Sequence, residues 1–166
     1  MHDDMLVGPS VLSRLGGPQV VMGSSPLKPS IRISRDGEVA GLENSTWHQA
    51  RSCEERLGLA AVDPGLSEFW KALDSTGYLH GGVAQADMLY IPLHNATHAA
   101  ACLDLIDVFS EHRVYLECAI PTMVLMMWQR FGVPVYVARL CTTWTGARSY
   151  PSGLIAECLG RAPDSD

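Results

Sequence analysis

Between residues 86 and 140 the chain alternates short apolar runs with longer segments of helical spacing, and this alternation limits it to a layered α/β fold. Residues 86 to 93 (A-D-M-L-Y-I-P-L) read as a mainly apolar strand. Asn95 or Thr97 then starts a helix to about Ser110, with Ala101, Leu103, Leu105, Ile106 and Phe109 on its buried side. Residues 113 to 117 read as a further strand. A helix from near Pro121 runs to Phe131-Gly132, since proline suits a first helical turn, where its missing N–H has no partner to lose. Met123, Met126, Met127 and Trp128 fit the core of that helix, and residues 133 to 140 close the pattern as another strand.

Upstream the signals are shorter. Residues 31 to 42 alternate apolar and polar side chains around Asp36-Gly37, a hairpin signature, so two short strands are expected. Ser45 or Thr46 can cap a helix from about Trp47 to Leu59, and Asp63-Pro64-Gly65 turns the chain into a second helix over about 67 to 73. Gly77 and His80-Gly81-Gly82 read as a loop. Residues 1 to 30 are rich in Gly and Pro, with one short helix expected near 10 to 15, and residues 142 to 166 form a turn-rich tail with at most one short helix near 154 to 159.

The 166 residues fit a single domain, and 47% hydrophobic against 18% charged residues is enough to bury a core. A net charge of -6 argues against nucleic acid as a partner, because a phosphate-coating protein needs clustered Lys and Arg. The apolar run from Met123 to Trp128 is far shorter than the ~20 residues of a membrane span, so none is expected. Five widely spaced cysteines without a C-x-x-C pair suggest neither a zinc knuckle nor a dense disulfide scaffold. The acidic N-terminus lacks a signal-peptide pattern, which leaves a cytoplasmic chain or one whose address lies elsewhere.

Several residues carry candidate chemistry. Asp3 and Asp4, next to the apolar Met5-Leu6-Val7, are adjacent carboxylates that need a counter-charge. Mg²⁺ or Mn²⁺ would supply it through hard oxygen ligands; a solvated terminus is the alternative. Glu117, at the end of an expected strand, is placed for general-base work, or else for helix capping or an ion pair with Arg113 or Arg130. Asp87, at the start of the 86 to 93 strand, either contacts a ligand or ends the loop. His94 and His98 have the i, i+4 spacing of paired metal ligands without the Glu of H-E-x-x-H, and surface or packing roles suit them better. Asn44-Ser45-Thr46 and Asn95-Ala96-Thr97 match N-x-[ST], which marks surface glycosylation in a secretory-pathway protein. No G-x-S-x-G, Walker-type loop or G-x-G-x-x-G occurs.

Taken in order, H-D-D-M at residues 2 to 5, A-D-M-L-Y-I-P at 86 to 92 and L-E-C-A-I-P-T at 116 to 122 resemble the C-terminal half of GT-A-like nucleotide-sugar glycosyltransferases, in particular the STELLO-like and algal glycosyltransferase-like proteins. That resemblance implies a partial GT-A-like mixed sheet flanked by helices, lacking the N-terminal nucleotide-binding βαβ region. The chain would then be the C-terminal part of a larger glycosyltransferase domain. It further implies that Asp3 and Asp4 hold Mn²⁺ or Mg²⁺ against the diphosphate of a nucleotide-sugar donor, and that Glu117, with Asp87 as fallback, takes the proton of a hydroxyl acceptor. A Golgi or secretory-pathway location would follow. Two other readings stand beside it: a non-catalytic α/β interaction module or remnant, and a metal-dependent hydrolase using Asp3, Asp4, His94 and His98.

Overall fold

The computed structural model describes residues 17, 20–24, 30–84, 86–92 and 95–138. Among them the fold is mixed α/β, in chain order β1 (Val20–Ser24), β2 (Ile31–Ile33), β3 (Val39–Ala40), α1 (Ala50–Ala61), β4 (Leu79–Gly81), β5 (Ala86–Tyr90), α2 (Ala96–Glu111), α3 (Leu116–Phe131) and β6 (Val135–Ala138). The strands form two three-stranded sheets. One is antiparallel in the order β3-β2-β4, and the other is mixed in the order β5-β1-β6, with β1 antiparallel to β5 and parallel to β6. The expected helix near 10 to 15 and the tail over 142 to 166 lie outside the described residues.

The hairpin at Asp36-Gly37 forms as the alternation predicts. Ile31 and Ile33 point inward while Arg32 stays exposed, and Gly37 has φ +90°, the left-handed region that a tight turn demands. Helix α1 begins at Ala50 rather than Trp47, because the Ser45 hydroxyl closes its own turn by accepting from the Trp47 N–H and leaves the helix without a side-chain cap. After α1 the chain makes two 3₁₀ turns, Pro64–Leu66 and Phe69–Ala72, in place of a continuous helix over 67 to 73. Asp63 caps the first by accepting from the Gly65 N–H at 2.8 Å.

Strand β4 occupies residues expected to be a loop. It is only three residues long and ends in glycine, so no periodicity announces it; its partners do. One edge pairs with β2. The other runs along α3, where the His80 N–H donates to Gln129 Oε1 at 3.0 Å and the Gly82 N–H to Thr122 Oγ1 at 3.2 Å. Gln129 Nε2 returns bonds to the Tyr78 and Ala72 carbonyls at 3.1 and 2.7 Å. A helix thus supplies the donors and acceptors that a fourth strand would otherwise provide.

Helix α3 starts at Leu116, so the strand expected over 113 to 117 does not form. The N–H groups of Arg113 and Val114 turn back onto the end of α2 instead of pairing with a strand. Pro121 consequently sits inside the helix, and its missing N–H frees the Glu117 carbonyl four residues earlier. The Ala84 N–H fills that vacancy at 3.0 Å. A residue read as a helix start is therefore the device that opens α3 to the segment following β4.

The core gathers Phe69, Leu57, Leu66, Leu79, Leu105, Val124 and Met126 between the antiparallel sheet and the three helices. Cys53 of α1 and Cys118 of α3 are joined in a buried disulfide with Cα atoms 6.5 Å apart, a link the cysteine spacing alone does not reveal. Met123, Met126 and Met127 are core as expected, whereas Trp128 is 52% exposed. On α2, Leu103 and Ile106 face outward and Cys102 and Val108 take the inward positions. No helix among the described residues is long and apolar enough to cross a membrane.

Candidate functional site

The corner between α2 and α3 is built by a helix stop of defined geometry. The Val114 N–H bonds the Phe109 carbonyl at 2.8 Å and the Arg113 N–H bonds the Ser110 carbonyl at 3.0 Å, the paired closure of a Schellman motif. Such a stop needs a left-handed residue at the position after the cap. Glycine normally fills it, yet here Arg113 does, with φ 53°. A left-handed non-glycine residue costs about 1 kcal/mol or more, so the strain calls for a reason.

Arg113 lines a groove of about 580 Å³ that opens at this corner. Ile106, Phe109 and Ser110 contribute one wall from α2, and Leu116, Ala119, Ile120 and Met123 the other from α3, with Leu89 of β5 between them. The α3 residues fall at i, i+3, i+4 and i+7, one stripe of the helix. Ile106 and Leu116 are 43% and 69% exposed, so apolar surface continues onto the rim. The volume is that of an ordinary small-molecule site, and among the described residues Arg113 is the one charged side chain in the lining. Tyr115 completes the corner and packs edge-on against Trp47 with centroids 6.4 Å apart.

The sequence candidates fall around this groove unevenly. Asp3, Asp4 and His94 lie outside the described residues. Asp87 has a special backbone position. In the β1–β5 ladder Gly23 pairs with Met88 and Ser24 with Ala86, so Asp87 is the extra residue of a β-bulge. Bulges are common beside functional sites. Glu117 lies in the first turn of α3 and is half-buried, not at a strand end. Its negative charge suits the helix N-terminus. Its carbonyl holds Ala84, three residues before Asp87, so the two candidate segments meet through the backbone.

His98 is a packing residue. Its ring lies 4.8 Å from that of Phe131, which also meets Phe69 edge-on and carries the Arg130 guanidinium 4.9 Å above its centroid. Arg130 in turn pairs with Glu68, not with Glu117. Among the described residues no group of three His, Cys, Asp or Glu side chains comes together to hold a metal ion.

Two His–Asp pairs were not legible in the sequence, because their members stand 49 and 6 residues apart without a motif. His112 Nε2 lies 2.9 Å from Asp63 Oδ2, and His80 Nε2 lies 2.9 Å from Asp74 Oδ2. The bond from His112, with the Gly65 N–H, holds the Asp63 carboxyl below its usual range. Asp74 is held well below it by the Thr76 hydroxyl first and then the Tyr78 N–H. Both acids are thus committed to ordering turns. Burial pushes up the thiol of Cys102, the free cysteine among the described residues, which makes it a poor nucleophile. No protein-family model, curated protein or solved structure matches the chain.

Proposed function

We propose that this chain is part of a metal-dependent glycosyltransferase, moving a sugar from a nucleotide-diphosphate donor to a hydroxyl acceptor. The observation that carries the reading is the meeting of two sequence motifs at one groove: Leu89 comes from A-D-M-L-Y-I-P, and Leu116, Ala119 and Ile120 come from L-E-C-A-I-P-T. The bulge at Asp87 and the mixed sheet that contains it support the same assignment. In this proposal the groove receives an apolar part of the acceptor. Glu117 accepts the proton of the attacking hydroxyl, and Asp87 orients that hydroxyl or replaces Glu117 in the role. Asp3 and Asp4 hold Mn²⁺ or Mg²⁺, whose charge stabilises a departing diphosphate.

The test is a thermal-shift titration. Mn²⁺ with a uridine or guanosine diphosphate sugar is expected to raise the melting temperature, and Asp3→Ala with Asp4→Ala to abolish the rise. Glu117→Gln is expected to keep the shift and lose sugar transfer. Absence of any shift in the full-length protein would overturn the proposal.

A second reading, a non-catalytic interaction module, is favoured by the outward-facing Leu103, Ile106, Leu116 and Trp128 on α2 and α3. It predicts indifference to metal and nucleotide in the same titration. The hydrolase reading has no support among the described residues, where no group of three candidate ligands comes together and the His98 ring packs beside Phe131.

A further inference from the structure

The chain contains two asparagines, Asn44 and Asn95, and both open an N-x-[ST] triplet without proline in the middle. Chance placement of Ser and Thr seldom produces that coincidence. The structure adds where they lie. Asn44, Ser45 and Thr46 are all exposed in the turn between β3 and α1, and Asn95, Ala96 and Thr97 are all exposed at the start of α2.

The two side chains are also free at the atom that matters. Asn95 caps α2 through Oδ1, which accepts from the Thr97 and His98 N–H groups at 3.0 and 3.1 Å. Its Nδ2 takes no part in the cap. Among the described residues the Asn44 side chain makes no hydrogen bond. Glycosylation replaces one hydrogen on Nδ2 and keeps the amide oxygen, so it leaves the α2 cap intact. Neither asparagine lines the groove at the α2–α3 corner.

An independent observation points to the same compartment. Cys53 and Cys118, 65 residues apart and fully buried, are joined as a disulfide. Such bonds form and persist in oxidising surroundings such as the endoplasmic reticulum lumen, where oligosaccharide transfer to asparagine also occurs.

We infer that this chain matures in the secretory pathway and carries N-linked oligosaccharides on Asn44 and Asn95. In each transfer Nδ2 attacks the anomeric carbon of a lipid-diphosphate-linked oligosaccharide. A carbon–nitrogen bond forms, the carbon–oxygen bond to the diphosphate breaks, the lipid diphosphate leaves, and one amide proton passes to a base of the host transferase. The inference does not depend on the sugar-transfer proposal, since it concerns the chain as an acceptor and not as a catalyst.

The test begins with the full-length protein from the cells that naturally make it. Amidase release of N-glycans in ¹⁸O water is expected to convert both Asn44 and Asn95 to labelled Asp, and peptide mapping without reductant to recover Cys53 linked to Cys118. Unmodified asparagines, or Cys53 and Cys118 trapped as free thiols, would overturn the inference; occupancy at one position alone overturns the other. Thr46→Ala and Thr97→Ala, made in the same chain and expressed through a eukaryotic secretory pathway, are each expected to remove one glycan step on a gel. Thr97→Ala is preferred to replacing Asn95 because it retains the cap. If both variants keep two glycan steps, the assignment of these asparagines fails.

Discussion

Helix α3 meets opposite surroundings on its two sides. One side carries Cys118, Thr122 and Gln129, every one of them engaged: a disulfide to α1, then hydrogen bonds to the free edge of β4. The other carries Leu116, Ala119, Ile120 and Met123, which line an apolar groove whose rim stays in contact with solvent. Stability lies in the sealed side, where removing a partner strands a backbone group or releases a covalent link. On the open side Met123 and Ala119 are buried and contribute to the core, whereas the exposed rim at Leu116 and Ile106 contributes little to folding, because surface left in water contributes no transfer free energy. Apolar surface that the fold leaves unused is what a ligand or partner can still bury.

The largest test of this contrast removes the covalent link. Cys53 and Cys118 close a span of 65 residues, and the chain-entropy estimate for a loop of that size is about 4 kcal/mol. Replacing both by alanine, or reducing the wild type, is expected to lower the unfolding free energy by about that much in urea titrations. Equal midpoints with and without reductant would show that the bond does not hold α1 against α3. Helix α3 would then rely on packing and on its hydrogen bonds to the β4 segment.

Gln129→Leu addresses the hydrogen-bonded part of the seam. It leaves the His80 N–H and the Ala72 carbonyl without their glutamine partner, while the Tyr78 carbonyl keeps the Asp74 N–H at 3.1 Å. Each stranded group costs about 1–3 kcal/mol when buried; this seam is partly buried, so a total loss of about 3 kcal/mol is expected. Hydrogen exchange at the His80 amide should accelerate in parallel. If the variant unfolds at the wild-type midpoint, water replaces the glutamine at no cost and the seam is not the fold's anchor.

The contrast also explains what the sequence could and could not reveal. The hairpin at Asp36-Gly37 and helix α2 behind Asn95 were legible because a turn residue and a cap act on their immediate neighbours. Strand β1 was hidden in a Gly- and Pro-rich stretch, and β4 in a loop-like one, because both exist through partners distant in sequence. Glu117 reads as a strand end for a related reason. Val114, Tyr115 and Leu116 read as an apolar strand, but the Schellman closure of α2 redirects them into a corner. The groove itself was half visible. Its two motifs were recognisable as short patterns, but that their apolar residues face one another depends on α3 starting five residues before Pro121.

Arg113 gives the smallest expected effect and the one with opposite sign. Its left-handed backbone costs about 1 kcal/mol relative to an unstrained residue, and glycine would relieve that while adding about 0.5 kcal/mol of unfolded-state entropy. Arg113→Gly is therefore expected to stabilise the protein by about 0.5 kcal/mol, measured by urea titration. The same change removes the positive charge of Arg113 from the groove lining, so binding of an anionic apolar dye should weaken as stability rises. A gain in stability joined to a loss of binding would mean that the strained residue serves the open side of α3 and not the fold. A loss of stability beyond about 0.5 kcal/mol would instead make Arg113 a packing residue, because a strained backbone retained for structure must be compensated by contacts that glycine cannot make.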